Sequence, residues 1–221
     1  MNSPQKFILN SIYCNHLING PSLDSLISYI ENKKDLNAEI YFNTLIDLEK
    51  LGYIILKDEL NIEGSKKIVC HLSDLGRSKI KVVLVGGVFD ILHLGHIHTL
   101  KTAKSFGDIL VVVVATNSTA LKMKKNRNIY HDENQRQELV SSLSFVDLSL
   151  IGKEGTLYDT VSFVKPDIIA LGYDQSHDEK EIQKNCFERG LRLDVIRLSS
   201  TIPKIKSTLI KRSLGNYFYD L

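Results

Sequence analysis

The chain is poor in cysteine, with only Cys14, Cys70 and Cys186 among 221 residues, and these lie far apart in no Cys-x-x-Cys spacing. That excludes a disulfide framework and a paired-cysteine metal site, and a reducing cytoplasm fits it best. Long apolar runs are absent too: no stretch approaches the roughly 18 to 20 apolar residues of a membrane span, and residues 1–9 lack a basic segment followed by an apolar run. Neither export nor membrane insertion is expected. Charge of one sign is also lacking, since the net formal charge is +2 with 24% charged residues. This balance carries no polyanion-binding signature and names no partner. There is no internal repeat and no low-complexity segment.

What is present is enough apolar content, 43%, for one large core or two modest ones, and the texture favours two domains, 1–79 and 80–221. In the first, apolar residues recur at helical spacing over 4–16, 23–31 and 38–51, for example Ile40, Leu45, Leu48 and Leu51. Gly52 stops the third helix. Residues 53–57 and 67–72 have strand composition around the turn-prone 61–65, a hairpin, and 70–80 returns to helix. This order, with its "LEKLGYI" phrase, resembles winged helix-turn-helix domains over about the first third of the chain.

Beyond Ile80, short aliphatic runs alternate with amphipathic segments, the pattern of βαβ units in a parallel sheet. Strands are expected over 82–85, 109–115, 148–151, 168–171 and 193–198, and helices over 95–105, 134–143, 157–164 and 179–189. A last helix is expected after Ser199, with Pro203 in its first turn, where the missing N–H is harmless. The fold class is therefore α/β: a doubly wound, mostly parallel five-stranded Rossmann-like domain behind a small α+β domain.

The segment "KVVLVGGVFDILHLGHIHTLKTAK" runs from an apolar strand through two glycines and a turn into His93-Leu94-Gly95-His96 at a helix start. Glycines let the backbone approach an anion, and a helix N-terminus offers unpaired N–H groups with a favourable dipole. Two histidines three residues apart share one face of a turn, and Gly95 leaves room for a triphosphate. A bare His-x-Gly-His string would arise by chance on the order of 0.01 times in a chain of this composition, so packing or capping alone does not account for it.

"GGVFDILHLGH" resembles the GxFDxxHxGH signature of the HxGH nucleotidyltransferases, which include cytidylyltransferases for glycerol 3-phosphate and phosphocholine, pantetheine-phosphate adenylyltransferases and archaeal FAD synthases. "LSSTIPK" (198–204) is similar to the second signature of that family, and "NQRQELVSSLSFVD" (134–147) to its E-x-R helix, with Arg136 at the arginine position. "KPDIIALGYDQ" (165–175) most closely resembles a phrase of the archaeal FAD synthases. Two positions depart from the pattern: Ala115-Thr116-Asn117 stands where relatives commonly carry an aspartate, and Pro203 where many carry an aliphatic residue.

The resemblance implies in-line attack by an acceptor phosphate on the α-phosphorus of a nucleoside triphosphate, with pyrophosphate expelled. It implies His93, His96 and Lys204 as catalytic donors, and nucleotide contacts from Gly87, Val88, Phe89, Leu94, Gly95, Asp174, Ser199, Ser200 and Thr201. Asn117, Lys125, Arg127 and Arg136 would face the acceptor or the phosphates. For Ser199, Ser200 and Thr201 phosphate contact is preferred over a simple N-cap, and the lysines and arginines read either as a functional or as a solvated face. Asp90 reads as structural, with a part in organising magnesium as the alternative, His98 and His131 have no assigned role, and His71 reads as a solvent-edge residue. Magnesium is expected as a companion of the triphosphate oxygens.

The favoured substrates are ATP and FMN, giving FAD; the alternative keeps the mechanism with CTP and glycerol 3-phosphate or a similar phospho-alcohol. A further alternative is a DNA-binding regulator whose second domain senses a nucleotide or flavin. Residues 1–79 hold nine Lys or Arg against ten Asp or Glu, and 37–43 contain no lysine or arginine. DNA binding normally needs a basic face, so a domain kept for packing or homodimerisation is preferred. Residues 80–221 carry 19 basic against 16 acidic groups, compatible with an anionic substrate.

Overall fold

The structure is a computed structural model that describes residues 1–33, 37–60, 65–123, 129–153, 155–199 and 210. It divides into two compact units, Met1–Ile80 and Lys81–Leu221.

In the first unit, α1 (Ser3–Asn19), α2 (Leu23–Lys33) and α3 (Ala38–Lys50) precede a hairpin of β1 (Ile54–Leu60) and β2 (Lys66–Leu72), followed by the single turn α4 (Asp74–Arg77). An Asn2/Gln5 capping box starts α1. The third helix ends as the sequence requires, because Gly52 takes φ +70°, the left-handed conformation that glycine adopts without penalty. Ile8, Leu9, Ile12, Leu26, Ile30, Leu48, Ile54 and Val69 are buried among these elements. Ile40, Phe42 and Ile46 of α3 are exposed instead.

The second unit is an all-parallel sheet in the order β5-β4-β3-β6-β7. Its strands are β3 (Val82–Gly87), β4 (Ile109–Val114), β5 (Leu148–Ile151), β6 (Ile168–Leu171) and β7 (Asp194–Arg197). Val83, Val85, Leu110, Val112, Val114, Ile168 and Ala170 form one buried cluster with Leu100, Ala103 and Val140 from the helices α5 (Leu94–Lys104) and α7 (Glu133–Ser141). The intervening Val82, Leu84, Val111, Val113, Ile169 and Leu171 are buried as well, so both faces of the sheet are covered. That is why the strands read as continuous aliphatic runs rather than alternating ones.

The helices α8 (Leu157–Val164) and α9 (Glu179–Glu188) fall where the sequence placed them. The short α6 (Asn117–Met123) does not, since a turn was expected there. Thr116 nucleates it, its hydroxyl oxygen accepting the Thr119 N–H at 3.1 Å, and Ala120 is buried beneath. The helix expected after Ser199 lies outside the described residues.

Chain order and strand order together locate the site. The chain runs outward through β3, β4 and β5, then returns to the other side of β3 for β6 and β7. The connections after β3 and after β6 therefore diverge at the carboxyl ends of neighbouring strands, which is where open α/β sheets bind ligands.

Candidate active site

From the end of β3 the chain passes over the sheet edge and enters α5. Phe89 makes the bend with φ +53°, unusual for a side chain of its size. Its ring lies directly above Gly87, where a Cβ would come within 2.7 Å of the ring carbons. Gly87 is thus needed for close approach of the phenyl group. Phe89 also meets His96 edge to face, with centroids 5.4 Å apart.

His93 is the N-cap of α5. Its Nδ1 accepts the Gly95 N–H at 3.1 Å, which leaves the proton of the neutral ring on Nε2. The His96 ring stacks on it, with centroids 3.9 Å apart and planes inclined by 22°. Burial lowers the pKa of His93, opposed by Asp174. Burial takes His96 further, to about 4, reinforced by His93 and opposed by Asp174 and the Ile91 backbone. His96 Nδ1 is buried with no hydrogen-bond partner of ordinary geometry. Both rings are therefore neutral at pH 7, and His93 presents an N–H donor. The first turn of α5 contains no acidic residue, so no side chain of that turn opposes the positive end of its dipole.

Asp174 arrives from the loop after β6, exposed and close enough to raise the pKa of both histidines. Leu94 is exposed, and Val88 and Gly95 half-buried, at the same edge. Ser199 follows the buried Leu198, whose N–H donates to Leu171 O at 2.9 Å, so it emerges beside the end of β6. The structure thus gathers the 87–96 turn, Asp174 and Ser199 at one sheet edge. Lys125, Arg127, Ser200, Thr201 and Lys204 lie outside the described residues.

Arg136 stands apart from the expectation of a surface contact. It is fully buried, its Nη1 donating to Val88 O at 2.6 Å and Ala115 O at 2.8 Å, and its Nε to His131 O at 3.1 Å. Its Nη2 donates to Asn117 Oδ1 at 2.7 Å, so these two residues bond to each other. Arg136 supports the turn from behind by tying the ends of β3 and β4. Asp90 is buried as well, its carboxylate accepting the N–H groups of Tyr130 and His131, while His131 Nδ1 lies 2.8 Å from Asp90 O.

Two further residues have no role assigned from the sequence. Gln175 accepts the Gly172 N–H at 3.1 Å and donates to Gly86 O at 2.8 Å, bridging the 172–178 loop to β3. Arg197, at the end of β7, bonds repeatedly to the same loop. Gln175 closes the 165–175 phrase without a role of its own there, and Arg197 belongs to no spacing pattern that marks it in advance.

Among the described residues, no group of three or more His, Cys, Asp and Glu side chains is placed to hold a metal ion. No helix among them is long and apolar enough to cross a membrane.

Residues 84–213 match the cytidylyltransferase-like family. FAD synthase of Thermoplasma volcanium is 49% identical over 127 residues, covering 57% of this chain and 87% of that protein. FAD synthase of Pyrococcus horikoshii is 45% identical over 145 residues, covering 64% of this chain and 97% of its own length. A crystal structure from Thermoplasma volcanium GSS1, described as a lipopolysaccharide core biosynthesis protein, shares 49% identity with a TM-score of 0.52, covering 55% of this chain and 98% of that one.

Proposed function

The chain belongs to the cytidylyltransferase-like family, and from that premise we propose that it transfers AMP from ATP to FMN, giving FAD and pyrophosphate. The observation that carries this reading is the pair of stacked, neutral imidazoles over an acid-free helix start at the switch point of the sheet, in a chain 44% to 49% identical to archaeal FAD synthases.

In this reading a phosphate oxygen of FMN forms a bond to the α-phosphorus as the bond to the β-phosphate oxygen breaks, and the electron pair leaves with pyrophosphate. FMN phosphate is already anionic near neutrality, so no general base is required and catalysis rests on positioning and charge stabilisation. His93 donates through Nε2, with His96 and the first N–H groups of α5 beside it. The backbone of Gly87, Val88 and Phe89 and the Leu94–Gly95 peptide line the phosphate path. Asp174 sits on the nucleotide side. Ser199, Ser200, Thr201 and Lys204 take the β- and γ-phosphates and the departing pyrophosphate, while Lys125 and Arg127 face the acceptor. Arg136 and Asn117 hold the floor.

Magnesium fits this site as a companion of the nucleotide rather than as a resident of a protein cage. Two neutral imidazoles and one exposed carboxylate are a poor donor set for a hard ion that prefers phosphate oxygens and water. Bound with the triphosphate, it supplies charge neutralisation.

We read the first unit as winged-helix-like and as a packing element, homodimerisation included, rather than a DNA reader. Its third helix exposes Ile40, Phe42 and Ile46 beside Glu39 and Asp47, with Lys50 as its only basic residue, which is the wrong chemistry for a phosphate backbone. A cytoplasmic location fits this reading. The test of the whole is FAD formation from FMN and ATP, with CTP and glycerol 3-phosphate as competing substrates.

A further inference from the structure

The 172–178 loop brings Asp174 to the histidines, yet it is an irregular segment with no strand or helix to hold it. Besides the Gln175 bridge to Gly86 O, one side chain from β7 holds it at several points. Arg197 Nη1 donates to Gly172 O at 3.1 Å and to Gln175 O at 2.7 Å, Nη2 donates to His177 O, and Nε donates to the Glu179 carboxylate at the start of α9. Three carbonyls along the loop and the first residue of the helix beyond it are thus fixed from a single point at the end of β7. The Arg197 guanidinium in turn holds the Glu179 carboxyl below the usual carboxylate range.

Position in the chain gives this contact its consequence. Arg197 directly precedes Leu198, where the second signature begins, so any shift of the end of β7 is passed to the loop that carries Asp174. Gln175 then passes it on to Gly86 O and the histidine turn.

We infer that Arg197 is a positioning residue for nucleotide transfer: its guanidinium fork clamps the 172–178 loop so that Asp174 and the histidine turn meet the nucleotide in one fixed geometry. This inference rests on the adenylyltransfer reading for its kinetic consequence, but the clamp itself does not. A lysine cannot replace it, because one ammonium lacks the planar, multi-donor fork.

The test uses the full chain and begins without substrate. Hydrogen exchange is measured in wild type, Arg197→Ala and Arg197→Lys. The amides of Gly172 and Gln175, both hydrogen-bonded within the loop, are expected to exchange roughly tenfold or more faster in both variants, while β3 and β4 keep wild-type protection. Wild-type exchange of the loop in Arg197→Ala, or full recovery of protection in Arg197→Lys, would overturn the clamp whatever the chain catalyses.

The kinetic arm is a double-mutant cycle with Asp174→Ala, read as kcat/KM for ATP. Arg197→Ala alone is expected to lower kcat/KM roughly ten- to a hundredfold. In the Asp174→Ala background it is expected to cost less than about threefold, because both changes undo the same placement. Independent, multiplicative losses would show that Arg197 does not act through the loop. An inactive wild type with altered exchange in the variants would instead reject the substrate assignment and leave the clamp standing.

Discussion

The ring of His93 lies on the ring of His96, with 3.9 Å between centroids and 22° between planes. Two imidazolium ions would repel at that separation, so the stack belongs to neutral rings, which is the state that burial enforces. Binding a triphosphate reverses the balance, because nearby negative charge favours the protonated form.

The first expectation is therefore spectroscopic. In the free protein the His96 ring should stay neutral until the pH falls to about 4, and His93 should titrate below 6.5. ATP should raise both midpoints. Histidine C–H and ring nitrogen shifts in an NMR titration check this, and an ordinary midpoint near 6.5 for His96 would contradict it.

The same depression has a stability consequence with a definite sign. The unfolded chain takes up a proton at His96 near pH 6.5, whereas the folded chain resists it to about 4. Stability present above 6.5 is accordingly lost as the pH falls from 6.5 through 4, by roughly 3 kcal/mol in full, of which about 2 to 3 kcal/mol is lost between pH 7.5 and 4.5. Urea unfolding at pH 7.5 and 4.5 should show a smaller drop in His96→Asn than in wild type by about that amount. Equal drops would remove the burial argument.

Gly87→Ala tests the turn. The new methyl would stand 2.7 Å from the Phe89 ring, so the ring must leave its place against His96. Overpacking of this kind costs about 1 to 3 kcal/mol, and activity should fall by more than the loss of folded protein explains. A variant with wild-type activity would mean that the phenyl group is free to move.

Arg136→Leu tests the support behind the turn. The carbonyls of Val88, Ala115 and His131 would each lose a buried donor, and losing a buried partner costs about 1 to 3 kcal/mol per stranded group. A loss of roughly 3 kcal/mol or more in denaturant unfolding is expected. If stability were unchanged but the KM for FMN rose, Arg136 would be a substrate contact after all.

The sheet was legible because its central strands, buried on both faces, read as aliphatic runs: β4 is unbroken. The histidine turn was legible because its chemistry is local, with glycines, ring donors and a helix start within ten residues. Arg136 and Arg197 were not legible in the same way. Each is defined by carbonyls that converge from separate strands and loops, and that convergence leaves no periodic trace in the chain. Asp90 was read as structural, and its carboxylate does hold the 130–131 backbone. His71, read as a solvent-edge residue, is half-buried and edge-on to His16 at 5.4 Å, a contact fixed by the pairing of helix and hairpin rather than by either alone. The helix α6 was missed because seven residues are too few for a periodic signal.

Product analysis of the purified chain with magnesium, crossing ATP and CTP against FMN and glycerol 3-phosphate with His96→Ala alongside, decides whether the stacked histidines serve adenylyl transfer to FMN. FAD and pyrophosphate are expected from ATP plus FMN only, with the rate reduced on the order of a hundredfold or more in His96→Ala. Turnover of CTP with glycerol 3-phosphate and none of FMN would contradict that role, as would an undiminished rate in the variant.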